Sequence, residues 1–222
     1  MPKDLLDQVY GCLAAGAVGD ALGAPVEGWY YTEIREKHGK VEEFGPFKTG
    51  YSNGAPGTMT DDSVMRHYMC LSIIEKGGRI LPDDFGKTWV EKLNPDRLWV
   101  NERIVTIKLK QGMNPWHTGQ GNIPAGCASM AIVPIGIINA GDPEQAFQDG
   151  MNIAGVDQTG SNQEAAASIA AATAQAFLPS ATVDDVIEAM YRYSSWFMRR
   201  AYDLTMDIAN SSSGVDEFTE KY

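Results

Sequence analysis

Apolar residues along this chain recur at helical spacing in one segment after another and alternate at strand spacing almost nowhere, so its apolar surface can be buried only by packing helix on helix. Leu6, Val9, Leu13 and Gly16 mark a first helix whose Gly and Ala content permits close approach to its neighbours. Thr32 is placed to cap a short helix through Lys37, which Gly39 ends. Further helices are predicted at 61–76, 83–92 and 97–110. Asp142-Pro143-Glu144-Gln145 joins an N-cap, a proline at the first helical position and an N3 glutamine. An Ala-rich helix from Asn162 to Phe177 and a long one from Val183 to Ala209 complete an all-α plan. Between Gly39 and Met59, turn-forming runs follow one another: Phe44-Gly45-Pro46, then Tyr51 to Gly57. They predict a long functional or mobile loop.

A chain of 222 residues, 44% apolar and 21% charged, can bury one substantial core, and no boundary divides it, so residues 1–222 read as a single domain. The low-charge stretch Gly11 to Val26 contains Asp20 and consists mostly of Gly and Ala; it reads as too polar for a membrane span and lacks the Leu-rich centre of a signal peptide. Cys12, Cys70 and Cys127 are odd in number, far apart and set in apolar segments, as reduced core thiols of a cytoplasmic protein would be. A formal net charge of −11 leaves no basic footprint for nucleic acid or an anionic membrane. A small anionic ligand remains compatible with it, held locally by backbone N–H groups and a divalent cation.

Three elements carry chemistry. Thr60-Asp61-Asp62-Ser63 offers three hard oxygen ligands on one turn, the kind that Mg²⁺ takes alongside its waters. The same run serves equally as an acidic helix start, with Thr60 as N-cap and Val64, Tyr68 and Leu71 facing a core. Asp83-Asp84 and Asp184-Asp185 occupy similar places with no metal implied. The second element runs from Gly16 to Glu27: small residues allow tight packing, Pro25 stops the helix, and Asp20 and Glu27 lie near the exit. Either is a solvated acid or, given burial or a charged neighbour, a general acid or base. The third is Pro115-Trp116-His117-Thr118-Gly119-Gln120-Gly121-Asn122, a glycine-rich turn before a small-residue helix that begins near Ala125. Such a turn can aim N–H groups at a diphosphate, with Trp116 as a wall and His117 as a titratable donor; it can equally be a flexible loop beside a core tryptophan.

In this order the three elements resemble the ADP-ribosylglycohydrolase family, the group that includes the dinitrogenase reductase-activating glycohydrolases. The matching residues are the Gly19-to-Glu27 run, Thr60 to Ser63, and Gly121-Asn122 leading to Met130 and Pro134-Ile135-Gly136. The resemblance implies a compact orthogonal multi-helix bundle that uses a pair of divalent metals, Mg²⁺ or Mn²⁺, to hydrolyse the bond between the anomeric carbon of ADP-ribose, or a related ribosyl group, and an acceptor. Its substrate would be small-molecule or protein-linked ADP-ribose. Carried over by position, Thr60, Asp61 and Asp62 bind metal, Glu27 and Asp62 act in catalysis, and Gly119, Gly121 and Asn122 face the diphosphate or ribose beside Trp116 and His117. The acceptor has no readable code.

The sequence departs from that pattern in three places. Ala131 follows Met130 where many relatives carry Arg, and Val156-Asp157-Gln158-Thr159 holds no His where the family's middle segment has one. The residues through Tyr222 contain no Asp-x-Asp-Thr motif of the kind that completes the metal pair in relatives. The expectation is therefore a C-terminally incomplete domain, or a shortened relative that binds ADP-ribose or serves structurally with a half-built metal site. Apolar surface left where the last helices would pack invites self-association.

Overall fold

The computed structural model describes residues 5–50 and 52–222. Tyr51, part of the predicted loop, and residues 1–4 of the expected domain lie outside the described residues. Among those described, the chain forms helices α1 (Leu5–Gly23), α2 (Tyr31–His38), α3 (Asp61–Lys76), α4 (Pro82–Lys92), α5 (Val100–Lys110), α6 (Cys127–Ala131), α7 (Val133–Ile138), α8 (Pro143–Ala154), α9 (Ser161–Ala176), α10 (Val183–Tyr193), α11 (Trp196–Asn210) and α12 (Val215–Lys221). One antiparallel hairpin of two-residue strands, β1 (Phe47–Lys48) and β2 (Asn53–Gly54), sets Phe47 opposite Gly54. The fold is all-α, as the periodicity requires.

Local chemistry sets most of the helix ends. Asp142 accepts the Gln145 N–H at 3.1 Å at the start of α8, and Gly77, at φ 72°, closes α3 in the left-handed conformation that glycine adopts without strain. Thr32 does not cap α2: the helix begins at Tyr31, and Glu33 reaches back to the Tyr30 N–H at 3.0 Å. The helix expected from residue 97 starts at Val100, because Pro95–Arg97 forms a separate 3₁₀ turn. The single long helix expected over Val183–Ala209 is two. Ser194 is extended, with its hydroxyl 2.8 Å from that of Ser168, while Glu164 of α9 takes both the N–H and the hydroxyl of Ser195. Serines that find such partners leave the helix, and Ser195 then caps α11.

The core forms around α9. Ala166, Ala167, Ala170, Ala171 and Ala174 are fully buried, and their small side chains let α7 and α8 come close. A methyl group at Gly150 would lie 2.8 Å from the Ala167 Cα, and one at Gly136 would lie 2.6 Å from the Ala170 carbonyl oxygen. Beyond this small-residue seam lie the large side chains Met65, Met69, Phe85, Trp89, Leu98, Ile132, Ile135 and Ile153. On α3 the buried stripe is Met65, Met69 and Ser72, with Val64 and Tyr68 at its margin; Leu71, expected to face the core, is only half-buried. Full burial of side chains this size contributes roughly 1.5–3 kcal/mol each.

By contrast α1 buries only Ala21. By length and composition Leu5–Val26 is apolar enough to cross a membrane, with a mean hydropathy of 1.3, so the sequence reading of this stretch as too polar is corrected on that measure; 11% of that window is buried. The correction has a simple cause, since alanine, leucine and valine outweigh Asp7 and Asp20 when hydropathy is averaged. Within the 39–59 loop lies the short β1–β2 hairpin, which the sequence reading did not place. Gly45 closes on the Pro25 ring and Gly54 on Phe47 and Thr58, so the hairpin braces the turn that leads into Glu27.

Candidate active site

Asp20 lies in the last turns of α1, just before the Ala24–Val26 turn that Pro25 sets. Its carboxylate accepts the Thr60 N–H at 3.1 Å, the Thr60 hydroxyl at 2.7 Å and the Ser63 N–H at 3.1 Å. An acid 40 residues away thus completes the N-terminus of α3. Thr60 is the N-cap that the sequence predicts, and its oxygen accepts the Asp62 N–H at 3.4 Å. It also lies 3.2 Å from an Asp62 oxygen, but with one proton to give, the hydroxyl favours the nearer Asp20.

Because Asp20 takes the capping donors, the two first-turn aspartates do not have to. Asp61 is 4% exposed, and its Oδ1 has no hydrogen-bond partner. Burial first, and then the charges of Glu102, Asp62 and Glu27, push its carboxyl up to about 7. Asp62 is half-buried and raised as well, by burial and by the charges of Asp20 and Glu27, with the Thr60 hydroxyl and Arg66 pulling the other way. Glu27, exposed at the end of its turn, joins Asp61 and Asp62 in lining a cavity of about 410 Å³, closed by Trp99, Glu102 and the start of α6. The structure therefore brings the first two sequence elements together. The donor set is hard oxygen, and the orphaned Asp61 Oδ1 is the kind of buried atom that a cation satisfies; Thr60, Asp61 and Asp62 fit a divalent metal on both counts.

The third element lies elsewhere. None of Trp116, His117, Gly119, Gly121 and Asn122 is among the residues lining this cavity. The Gly119 N–H is bound to the Gly155 carbonyl at 3.1 Å, and a side chain there would strike the backbone of Gly155 and Gln158. Asn122 holds the Asp157 carbonyl at 2.7 Å and the Lys108 ammonium at 2.6 Å. Trp116 donates its indole N–H to Asp83 at 2.7 Å, and His117 sits 3.4 Å from the Gln120 amide. Outside this cavity, bonds from the groups expected to face a diphosphate or ribose fasten the 115–122 turn to α4, to α5 and to the 155–158 segment. The following helix, α6, has only five residues and no side-chain cap. Gly121, at φ 74°, is the turn's conformational glycine.

Sequence reasoning did not join three groups: it read Cys127 as a core thiol and no metal ligand, placed Asp157 in the 156–159 segment, and did not single out Glu102. Glu102 is fully buried, Cys127 and Asp157 nearly so, and one ligand atom from each lies within 4.8 Å of the others. Burial pushes all three up; the charges of Glu102 and Asp157 add to the Cys127 shift and that of Glu102 to the Asp157 shift, while Glu102 is raised further by Asp62 and pulled down by the Cys127 thiol. The available signal was Glu102 on the stripe that also holds Leu98, Val105 and Leu109, a charge where the helix faces the core. Arg66 was passed over too. It runs over Gly16 to the Met130 carbonyl, at 3.1 Å from Nη2, so a guanidinium reaches this point from α3 although Ala131 supplies none.

A family model described as ADP-ribosylglycohydrolase matches residues 1–221. An uncharacterized protein of Archaeoglobus fulgidus is 32% identical over 130 residues, which cover 57% of this chain and 41% of that protein. The uncharacterized protein YegU of Escherichia coli K12 is 26% identical over 159 residues, 67% of this chain and 47% of its own. The chain thus spans less than half the length of these curated relatives.

Proposed function

The chain belongs to the ADP-ribosylglycohydrolase family, and from that premise we propose that the cavity of Glu27, Asp61 and Asp62 hydrolyses the glycosidic bond between ADP-ribose, or a related ribosyl group, and an acceptor, with Mg²⁺ or Mn²⁺ held by Thr60, Asp61 and Asp62. One observation carries this reading: a buried Asp61 with an unpartnered oxygen shares a cavity with the carboxylates of Glu27, Asp62 and Glu102, while a distant Asp20 does the capping at the start of α3. Acidic residues that served only the helix would be bound to its N–H groups.

The chemistry suits these groups. A ribosyl bond breaks through an oxocarbenium-like transition state, which a carboxylate helps by orienting and deprotonating the attacking water. Glu27 has the exposure and the position for that role. Asp62, whose charge is felt by Asp61 and which itself feels Glu27, links the ion-holding pair to the water-activating acid. A bound divalent ion supplies the positive charge that steadies ribose hydroxyls and lowers a water's pKa. It also answers how a chain of net charge −11 holds a diphosphate.

The test is incubation with ADP-ribosylated arginine, ADP-ribosylated serine and small ADP-ribosyl compounds in Mg²⁺ or Mn²⁺, following release of ADP-ribose. Metal-dependent release that disappears in Glu27→Gln and Asp62→Asn is the expected result. No release from any substrate, beside an active relative, defeats the proposal.

A further inference from the structure

At the inner side of the same cavity, with Glu102 and Cys127 in its lining, lies a second set of donors that the proposed hydrolysis does not use. Glu102 comes from α5, Cys127 from the start of α6 and Asp157 from the turn after α8, three elements far apart in sequence. One ligand atom from each lies within 4.8 Å of the other two. Glu102 is 0% exposed and Asp157 4%, and none of their four carboxylate oxygens has an N–H or O–H partner. The Cys127 thiol is in side-chain contact with Glu102. Two carboxylates left bare in a protein interior are costly, and native structures resolve such sites with protons or with a cation.

We propose that Glu102, Cys127 and Asp157 form a binding site for one borderline-soft divalent cation, of which Zn²⁺ is the best match. The donor set selects the ion: Mg²⁺ keeps to oxygen and water, whereas zinc accepts a thiolate beside carboxylates. Zinc bonds to oxygen at about 2.0–2.2 Å and to sulfur at about 2.3 Å, so a tetrahedral ion holds its donors roughly 3.5 Å apart. The donors already lie within 4.8 Å of one another, so they need to draw in by at most about 1.3 Å to reach that spacing. Glu102 and Cys127 line the open cavity, which gives the ion its way in and leaves a fourth position facing solvent. The Asn101 amide sits 3.7 Å from the Cys127 sulfur as a donor suited to a thiolate, and the Lys108 ammonium acts on Asp157, offsetting negative charge that the ion leaves over. Binding releases the thiol proton and any carboxyl protons to solvent, and three bonds to the ion form in their place. None of these residues belongs to the Thr60–Asp62 set, but the charges of Glu102 and Asp61, and of Asp62 and Glu102, act on one another, so the site is best read through its thiolate, which the other set lacks.

Cobalt substitution reads this site without reference to hydrolysis. Protein stripped with a chelator and titrated with Co²⁺ is expected to show a thiolate-to-cobalt charge-transfer band that saturates at one equivalent and is displaced by Zn²⁺ but not by Mg²⁺. Cys127→Ser removes the band, while Cys12→Ser, Cys70→Ser and Asp62→Asn keep it. Since Cys127 is buried, Asp157→Asn gives a second route: the band remains and Co²⁺ affinity falls at least about ten-fold, with helicity by circular dichroism unchanged. Absence of the band in the stripped wild-type protein, its survival in Cys127→Ser, or unaltered affinity in Asp157→Asn each overturns the assignment.

Discussion

Two acidic helix starts in this molecule look alike in composition and behave in opposite ways. At α10, Thr182 is the N-cap and Asp184-Asp185 occupy the second and third helical positions. Asp185 reaches back to the Thr182 N–H at 2.8 Å and to its hydroxyl at 2.7 Å, and those bonds hold its carboxyl below the ordinary range. At α3, Thr60 is again the N-cap, but Asp61-Asp62 stand one position earlier, with Ser63 third. No side chain at the third position reaches back, and Asp20 fills the gap from α1. The α4 start agrees with α10: its third residue, Asp84, bonds the Leu81 N–H at 2.9 Å; burial works against the shift, but that bond and Lys76 hold its carboxyl down. A one-residue offset therefore separates aspartates that cap a helix from aspartates left for other chemistry.

The sharpest way to break this comparison is to remove the residue that maintains it. Asp20→Ala leaves the Thr60 and Ser63 donors without an acceptor, and with three hydrogen bonds lost at a half-buried site the expected destabilisation is about 3 kcal/mol, read by urea unfolding. A loss below about 1 kcal/mol would mean that water or Asp62 replaces Asp20, and the freedom of the α3 aspartates would need another explanation.

Next in size comes activity. Asp61→Asn preserves shape and removes the ligand charge, and on the proposed reading it lowers metal-dependent hydrolysis roughly 100-fold. Asp185→Asn, the matching change at α10, leaves hydrolysis within about two-fold, since its effects are confined to an exposed cap. Equal losses in both variants would erase the functional side of the contrast.

Half of this contrast was open to sequence reading and half was not. Caps and turns are local, so Asp142, Thr182 and Gly77 announce themselves, and the alanine run of α9 declares a helix that others pack against. The offset of the Asp pairs from their N-cap threonines was equally legible. What local pattern could not supply was the acceptor 40 residues away or the meeting of Glu102, Cys127 and Asp157, because both depend on how α1, α5 and the 155–158 turn pack. Trp116, His117, Gly119 and Asn122 show the converse: a glycine-rich turn looks the same in sequence whatever its polar groups meet, and only the fold shows the bonds that they make within the protein.

The protonation of Asp61 gives a third test, with a direction fixed by its shift. Its carboxyl ordinarily titrates near 3.8 and in the fold near 7, so the folded protein holds a proton that the unfolded chain has released. Metal-free protein therefore loses stability as pH rises from 3.8 toward 7, and above 7 the penalty is complete. Asp61→Asn escapes it. Allowing for solvent and for neighbouring acids that share the shift, the metal-free variant should exceed wild type by about 2 kcal/mol at pH 8 and match it at pH 4. Added Mg²⁺ should stabilise the wild type alone. A variant less stable than wild type at pH 8 would show that Asp61 is held by an attractive partner in place of the repulsion from Glu102, Asp62 and Glu27.

The smallest effect belongs to α10 and completes the comparison. Thr182→Ala removes the hydroxyl that accepts the Asp185 N–H at 3.2 Å and donates to its carboxylate, while Asp185 keeps its bond to the residue 182 N–H. An exposed N-cap of this kind is worth about 1 kcal/mol, and nothing about it touches the cavity. The variant should therefore unfold at slightly lower urea with hydrolysis and Co²⁺ binding unchanged. Thr60→Ala, at the equivalent position of α3, should do more: its N–H still bonds Asp20, but the hydroxyl's bonds to Asp20 and from the Asp62 N–H are lost, costing about 1–2 kcal/mol, and the missing oxygen weakens Mg²⁺ dependence at the proposed ion site. If both threonines behaved as simple caps, the two helix starts would differ only in the placement of their aspartates, and the oxygen set at 60–62 would shrink to two carboxylates.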